Sequence, residues 1–294
     1  MPLFPLGAAY LPHTTPVLNI FEPRYRAMYN DILFNGARRF MVTNVEPETG
    51  ALAEVGVVFY LDELKEVSEQ TQDRVKYIGS HSVVKRVRLD KVLNPSVSAT
   101  RETYLKAEVT ELEDEDATAD TDALEEEVLK VFLELVDMQA QLGEEPRFTD
   151  AVKATLAFHR GSGTDDKGLW GTIGLWQQFL EQRATVVGNR LQRDIQKEVV
   201  EFLKENPINK KLVNSRGEMR MEDLPAPLAE TILGIQRRYR EELEAMESDP
   251  YGLQFQALLQ APSHAERLDV LKTVLETERK RLSARSSLQS LFKK

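Results

Sequence analysis

Four cations within seven residues, Lys85, Arg86, Arg88 and Lys91, are the residues best suited to hold an anion. On a strand, alternation puts Lys85 with Val87 on one face and Arg86 with Arg88 on the other. Such a run suits a phosphate or a carboxylate. It suits the solvated face of an ordinary strand equally well, and that is the preferred reading. A second basic group, Arg279, Lys280, Arg281 and Arg285, then Lys293 and Lys294, lies toward the end of the chain. Cations near a helix C-terminus complement the macrodipole, so this group reads as structural. Trp170 and Trp176 flank Gly171 and Gly174. Trp176 falls on an apolar helical stripe and reads as core. Trp170 falls outside the stripe, beside a loop, and joins Lys85, Arg86 and Arg88 as the candidate binding surface.

The remaining chemistry is thin. The 294 residues include no cysteine, which excludes disulfides, thiolate nucleophiles and Cys-ligated metals together. The four histidines stand at 13, 81, 159 and 264, none within metal-ligand spacing of another. No metal and no cofactor is expected. The run Gly163-Thr-Asp-Asp-Lys-Gly168 approaches a phosphate loop but ends on Leu169 and carries two aspartates that would repel phosphate. It reads as a plain loop. Glu125-Glu126-Glu127 reads as a solvated first helical turn, where negative charge suits the dipole. No serine elbow and no His-Glu-x-x-His helix occurs. A hydrolase without a recognisable motif is the least favoured function class. Lys+Arg number 38 against 48 Asp+Glu, so the net charge of −10 disfavours nucleic acid as a partner. No apolar run reaches the length of a membrane span. The chain opens on Leu3-Phe4-Pro5-Leu6, which reads as structured sequence with no signal or transit segment.

Two kinds of periodicity must position these residues. Through residue 112 the chain reads as short strands: 38–45, 54–61, 75–79, 83–89 and 104–112. Gly56, inside one of them, predicts a bulge or a close backbone contact. One helix interrupts, about Pro23 to Phe34, with Gly36 placed as its C-cap. Many short strands with turns and one helix predict a small, curled β-barrel. The acidic run 113–122 predicts a linker, with Asp122 and Glu125 at capping-box spacing. Beyond it the pattern is helical. Helices are expected over about 124–142, 148–158, 172–204, 228–246 and 252–260, with a last one opened by the capping box Ser263-His-Ala-Glu266. A small hairpin is expected over 212–219. The fold class is therefore α+β, a β domain at 1–116 followed by a helical domain at 117–294.

One stretch adds a family. Leu3-Phe4-Pro5-Leu6-Gly7, Leu11-Pro12 and Pro16-Val-Leu-Asn-Ile-Phe21-Glu22-Pro23-Arg24-Tyr25-Arg26-Ala-Met28 resemble the opening of the Lon protease N-terminal, substrate-binding domain. Later landmarks agree: Glu54-Val55-Gly56, Gly79, Tyr104 to Ala107, and Leu258-Leu259 with Glu266-Arg267-Leu268. Ser82 departs from the pattern, where the family commonly carries arginine. The motif also has its own physical reading. Pro23 suits the first turn of a helix, Glu22 can accept from the free N–H groups there, Arg24 and Arg26 can pair with carboxylates, and Phe21 and Tyr25 are expected to pack inward. That describes a lock between strand and helix. The resemblance implies a PUA-like barrel followed by a helical bundle. It also implies a non-enzymatic module, without ATPase or protease parts, that binds client proteins as an adaptor, scaffold or chaperone-like regulator. RNA binding through the barrel is the alternative. It is disfavoured by the 13 Lys+Arg against 18 Asp+Glu over residues 1–116. Similar standalone proteins of plants and algae imply the plastid stroma, with the cytoplasm as the alternative.

Overall fold

β-Branched and aromatic residues at alternate positions build six strands: β1 Pro2–Leu6, β2 Val17–Ile20, β3 Arg39–Asn44, β4 Val55–Glu66, β5 Tyr77–Val92 and β6 Leu105–Glu111. The structure is a computed structural model that describes residues 1–46, 49–163, 165–205, 224–246 and 253–292. The hairpin expected at 212–219 lies outside the described residues. The strand order is β2-β5-β4-β3-β1-β6, and β5 pairs with β6 as well. That last pairing closes a ring of five strands, with β2 attached beside the first half of β5. The two strands expected at 75–79 and 83–89 are thus one strand of 16 residues. Its length lets one end pair with β2 and the other with β6, while β4 pairs with it from Tyr77 to Arg88. Leu3, Met41, Val58, Val87, Leu105 and Ala107, drawn from all five ring strands, converge in one buried cluster.

The opposite faces of these strands carry the aromatic residues. Phe4, Phe40, Phe59 and His81 meet Tyr25 and Tyr29 of α1, Pro23–Phe34. The helix starts with Pro23 at its first position and stops at Gly36, which takes the left-handed φ of 71° that a side chain would oppose. Gly56 is a close approach, as its place in the strand predicts: a Cβ there would stand 2.3 Å from the Val42 carbonyl oxygen.

Short helices α2 Ser68–Thr71 and α3 Val97–Thr100 connect strands. Then follow α4 Asp122–Leu142, α5 Asp150–Lys153, α6 Leu169–Glu205, α7 Ala226–Met246, α8 Leu253–Gln260 and α9 His264–Phe292. The cap of α4 is Thr121 rather than Asp122, and its hydroxyl donates to Glu125 at 2.7 Å. Helix α4 presents Val128, Val131, Phe132 and Leu135; α9 presents Leu268, Leu271, Leu275 and Leu282. Ion pairs Glu127–Lys272 and Glu134–Arg279, followed by Glu144–Arg285 just past the end of α4, advance together along the two chains, so the two helices run parallel. The cations of α9 therefore serve its neighbour α4. The helix expected over 148–158 is a single turn at α5, because this stretch is held from outside. Thr172 Oγ1 accepts from the Ala157 N–H and donates to its carbonyl. Phe148 and Phe158 pack on Phe132, with Trp176 in the same core.

The expected division at 116/117 marks the change from strands to helices. The compact units divide elsewhere, into Met1–Gln177 with Tyr251–Lys294, and Gln178–Pro250. In the second unit Leu191, Ile232 and Ile235 are buried, and Arg238 pairs with Glu198. Among the described residues no helix is long and apolar enough to cross a membrane.

Candidate functional site

The motif Phe21–Arg26 joins β2 to α1. Glu22 is the residue before the helix, and its backbone carbonyl accepts the N–H groups of Tyr25 and Arg26 at 3.0 Å. Its carboxylate does not cap the helix. Instead it accepts from Arg24 Nε at 2.8 Å, a charged and therefore stronger donor than a backbone N–H. The Arg24 guanidinium also lies 4.5 Å over the Tyr25 ring, and that ring stacks on Phe4. Burial pushes the Tyr25 hydroxyl up to about 12. Arg26 ties the joint to the turn before β5: Nε donates to the Phe21 carbonyl, and the other nitrogens grip the Asp73 carboxylate and carbonyl. Phe21 does not pack inward. Its side chain is 56% exposed, because Ile20 takes the inward position and alternation turns the next residue out.

Behind this joint Tyr29 and His81 share a hydrogen bond of 2.7 Å. The His81 ring also reaches the Pro16 carbonyl at 3.3 Å, next to β2. Burial lowers the His81 pKa to about 4 against the smaller upward pull of the Pro16 carbonyl and Asp62, so the ring is neutral near pH 7.

The candidate surface of Lys85, Arg86, Arg88 and Trp170 resolves differently. Lys85 pairs with Glu111, and Arg88 donates to Asp90 at 3.0 Å. Arg86 is buried. It donates to the carbonyls of Leu259 and Ala261 at 2.8 Å, and to Asp114 at 2.5 Å. Arg267, also buried, donates to both oxygens of the same carboxylate at 2.6 and 3.0 Å. The Trp170 ring lies against both guanidinium groups, 4.4 Å from Arg267 and 5.8 Å from Arg86. The structure thus brings Trp170 and Arg86 together, but as an internal stack between barrel and helices. Arg88 shares the Arg86 face by alternation yet is exposed, because α8 and the turn after it cover only Arg86.

The acidic run is no free linker. Desolvation opposes the charge on Asp114, but its bonds to Arg267 and the nearby Arg86 outweigh that and lower its pKa. Two residues on, Asp116 accepts the N–H groups of His264 and Ala265, at 2.9 and 3.0 Å, and so caps α9. Desolvation again pushes upward, yet these two donors and Arg160 hold the carboxyl at about 2. His264, inside the same cluster, contacts Glu125 at 3.2 Å, and burial lowers its pKa. Asp114, Asp116, Arg160 and Arg267 were not legible as a group from spacing. The one local signal is the Asp-x-Asp step, which sets both carboxylates on one side of an extended chain.

Beside this cluster opens a cleft of 410 Å³, lined by Glu54, Val55, Arg86, Arg88, Glu113 and Glu115 among others. Its two arginines already hold carboxylates, so the cleft is acidic rather than apolar. An exposed apolar side chain stands on β2, just before the family-like motif. Val17 is 60% exposed, and it shares its face with Asn19 and Phe21. Among the described residues no group of three or more His, Asp or Glu is placed to hold a metal ion.

A family model described as the ATP-dependent protease La (LON) substrate-binding domain matches residues 1–156. No curated protein sequence matches the chain. Among solved structures, the chain is similar to a Lon N-terminal domain protein from Xanthomonas campestris, with 19% identity and a TM-score of 0.33 over 60% of this chain and 96% of that one. It is also similar to the N-terminal domain of Mycobacterium avium complex Lon protease, with 13% identity and a TM-score of 0.43 over 94% and 97%.

Proposed function

The chain belongs to the Lon substrate-binding domain family, and from that premise we propose that it binds protein substrates without chemically altering them. The observation that carries the reading is the family match itself. It spans the whole barrel and the first helix of the bundle. The proposed contact surface is the outer side of β2, where Val17 and Phe21 leave apolar area open to water. The charged cleft is a poorer choice, because a client's apolar segment gains nothing by displacing water from carboxylates. In this reading the protein is an adaptor or chaperone-like regulator built on a PUA-like barrel, and the plastid stroma is its proposed compartment. RNA gains no support: Lys85, Arg86 and Arg88 each hold a carboxylate of this chain.

The test is fluorescence anisotropy with one labelled small protein in two states, native and permanently unfolded. Binding of the unfolded form alone is expected. Phe21→Ser should weaken it by about fivefold or more, with thermal stability unchanged because the ring is exposed. Equal binding of both states, or of neither, refutes the proposal.

A further inference from the structure

We propose that β2 binds its client by strand addition, the client's backbone pairing along the open edge of Val17–Ile20; this rests on the protein-binding reading above. Residues 14–20 run beside β5. The Pro16 carbonyl accepts from the His81 N–H and the Thr14 carbonyl from the Val83 N–H. In an antiparallel pair, alternate residues point their hydrogen-bonding groups to the same side. Even-numbered residues 16, 18 and 20 therefore face β5, in the register Leu18↔Gly79 and Ile20↔Tyr77. The N–H and C=O groups of Val17 and Asn19 face away, and among the described residues no further strand pairs with β2 on that side.

Natural edges of this kind are usually blunted by charge, by proline or by a covering element. Here Thr14 to Phe21 contains no ionisable residue. Pro16, the proline of the run, sits at a position whose missing N–H would face β5, so it leaves the outer edge intact. Val17 and Phe21, four residues apart on one face with Asn19 between them, supply two apolar contacts to same-face residues of an added strand. Charge complementarity then defines the occupant. Arg26 closes the far end of the edge at the Phe21 carbonyl and is itself paired with Asp73. Before it, Val17 and Asn19 offer hydrogen bonds and apolar contact but no unpaired charge, so the edge fits an uncharged extended segment with apolar residues at every second position. A folded protein buries such segments, and an unfolded one displays them.

The experiment uses the full chain and a labelled, end-capped peptide of alternating valine and threonine carrying a neutral solubilising tail. Two further peptides carry N-methyl groups on the odd or on the even residues. Side chains are then constant while one row of N–H donors is removed. Strand addition requires that one N-methylated phase lose about tenfold or more in affinity while the other binds like the parent. Equal behaviour of the two phases overturns the proposal. So does an absence of parent-peptide binding by a chain that still binds the unfolded protein. A chain that binds neither peptide nor unfolded protein removes the functional reading as well. As a second check, Asn19→Pro deletes one outward donor and should weaken the peptide similarly. A dimer that this variant loses, without peptide binding in the parent chain, would place a second copy on the edge and overturn the proposal.

Discussion

Replacing Asp114 by alanine leaves two guanidinium groups buried around an empty position. Arg86 and Arg267 are 6% and 2% exposed at the side chain, and both donate to this one carboxylate. Removing one partner from a buried ion pair costs about 3–5 kcal/mol, mainly because the remaining charge stays desolvated. Arg86 keeps the carbonyls of Leu259 and Ala261, and Arg267 keeps the Trp170 face, so the lower end, about 3 kcal/mol, is expected. For a unit of this size that is roughly 6–12 °C in Tm. Asp114→Asn retains an acceptor and should lose about half as much. Urea denaturation followed by circular dichroism measures the free energy, and Trp170 fluorescence reports the junction. The pH dependence is a cross-check with a definite sign. The folded pKa of Asp114 lies below its unfolded value of 3.8, so its contribution is complete above that value and is lost as pH falls through the folded pKa. The deficit of the alanine variant should therefore shrink in acid. A loss under about 1 kcal/mol at pH 7 would refute the reasoning and show that packing alone holds the junction.

Asp116 titrates at about 2 when folded against 3.8 unfolded, so wild-type stability should fall between pH about 4 and about 2. Asp116→Asn should remove that part of the acid transition, with the two stabilities converging only below about pH 2. His81 is held neutral to about pH 4, whereas the unfolded chain takes up that proton near 6.5. Its contribution is thus complete above 6.5 and declines as pH falls toward 4; NMR should find the ring neutral at pH 5.5, and a midpoint at or above 6 contradicts this. Gly56→Ala would drive a Cβ to 2.3 Å from the Val42 carbonyl and 2.8 Å from Met41 Cε, costing about 1–3 kcal/mol or more by urea denaturation.

Much of the architecture is local and so legible along the chain. The strands follow from β-branched alternation, α1 from Pro23 and Gly36, and α9 from a Ser263 cap that accepts the Glu266 N–H at 3.1 Å. Trp176 sits in the core as its stripe position requires. Two expectations fail, for different reasons. Phe21, expected to pack inward, faces out because Ile20 takes the inward position and strand alternation turns the next residue to the other side. The 148–158 stretch has apolar residues at its ends, but Thr172, fifteen residues beyond Ala157, satisfies its backbone.

The candidate surface divides most sharply. Lys85, Arg86 and Arg88 are equivalent as a string of letters, and Trp170 stands far from them. Nothing local says that Arg86 alone meets the carbonyls of Leu259 and Ala261, more than 170 positions away, or that Asp114 stands between it and Arg267. Residue types and spacing determine the elements, the barrel-then-helix order and the family, because backbone sterics and hydrophobic periodicity act over a few residues. Which charges are buried, which are solvated and which strand edge stays open depend on desolvation by segments distant in sequence. Only the closed barrel and the helices packed on it decide those.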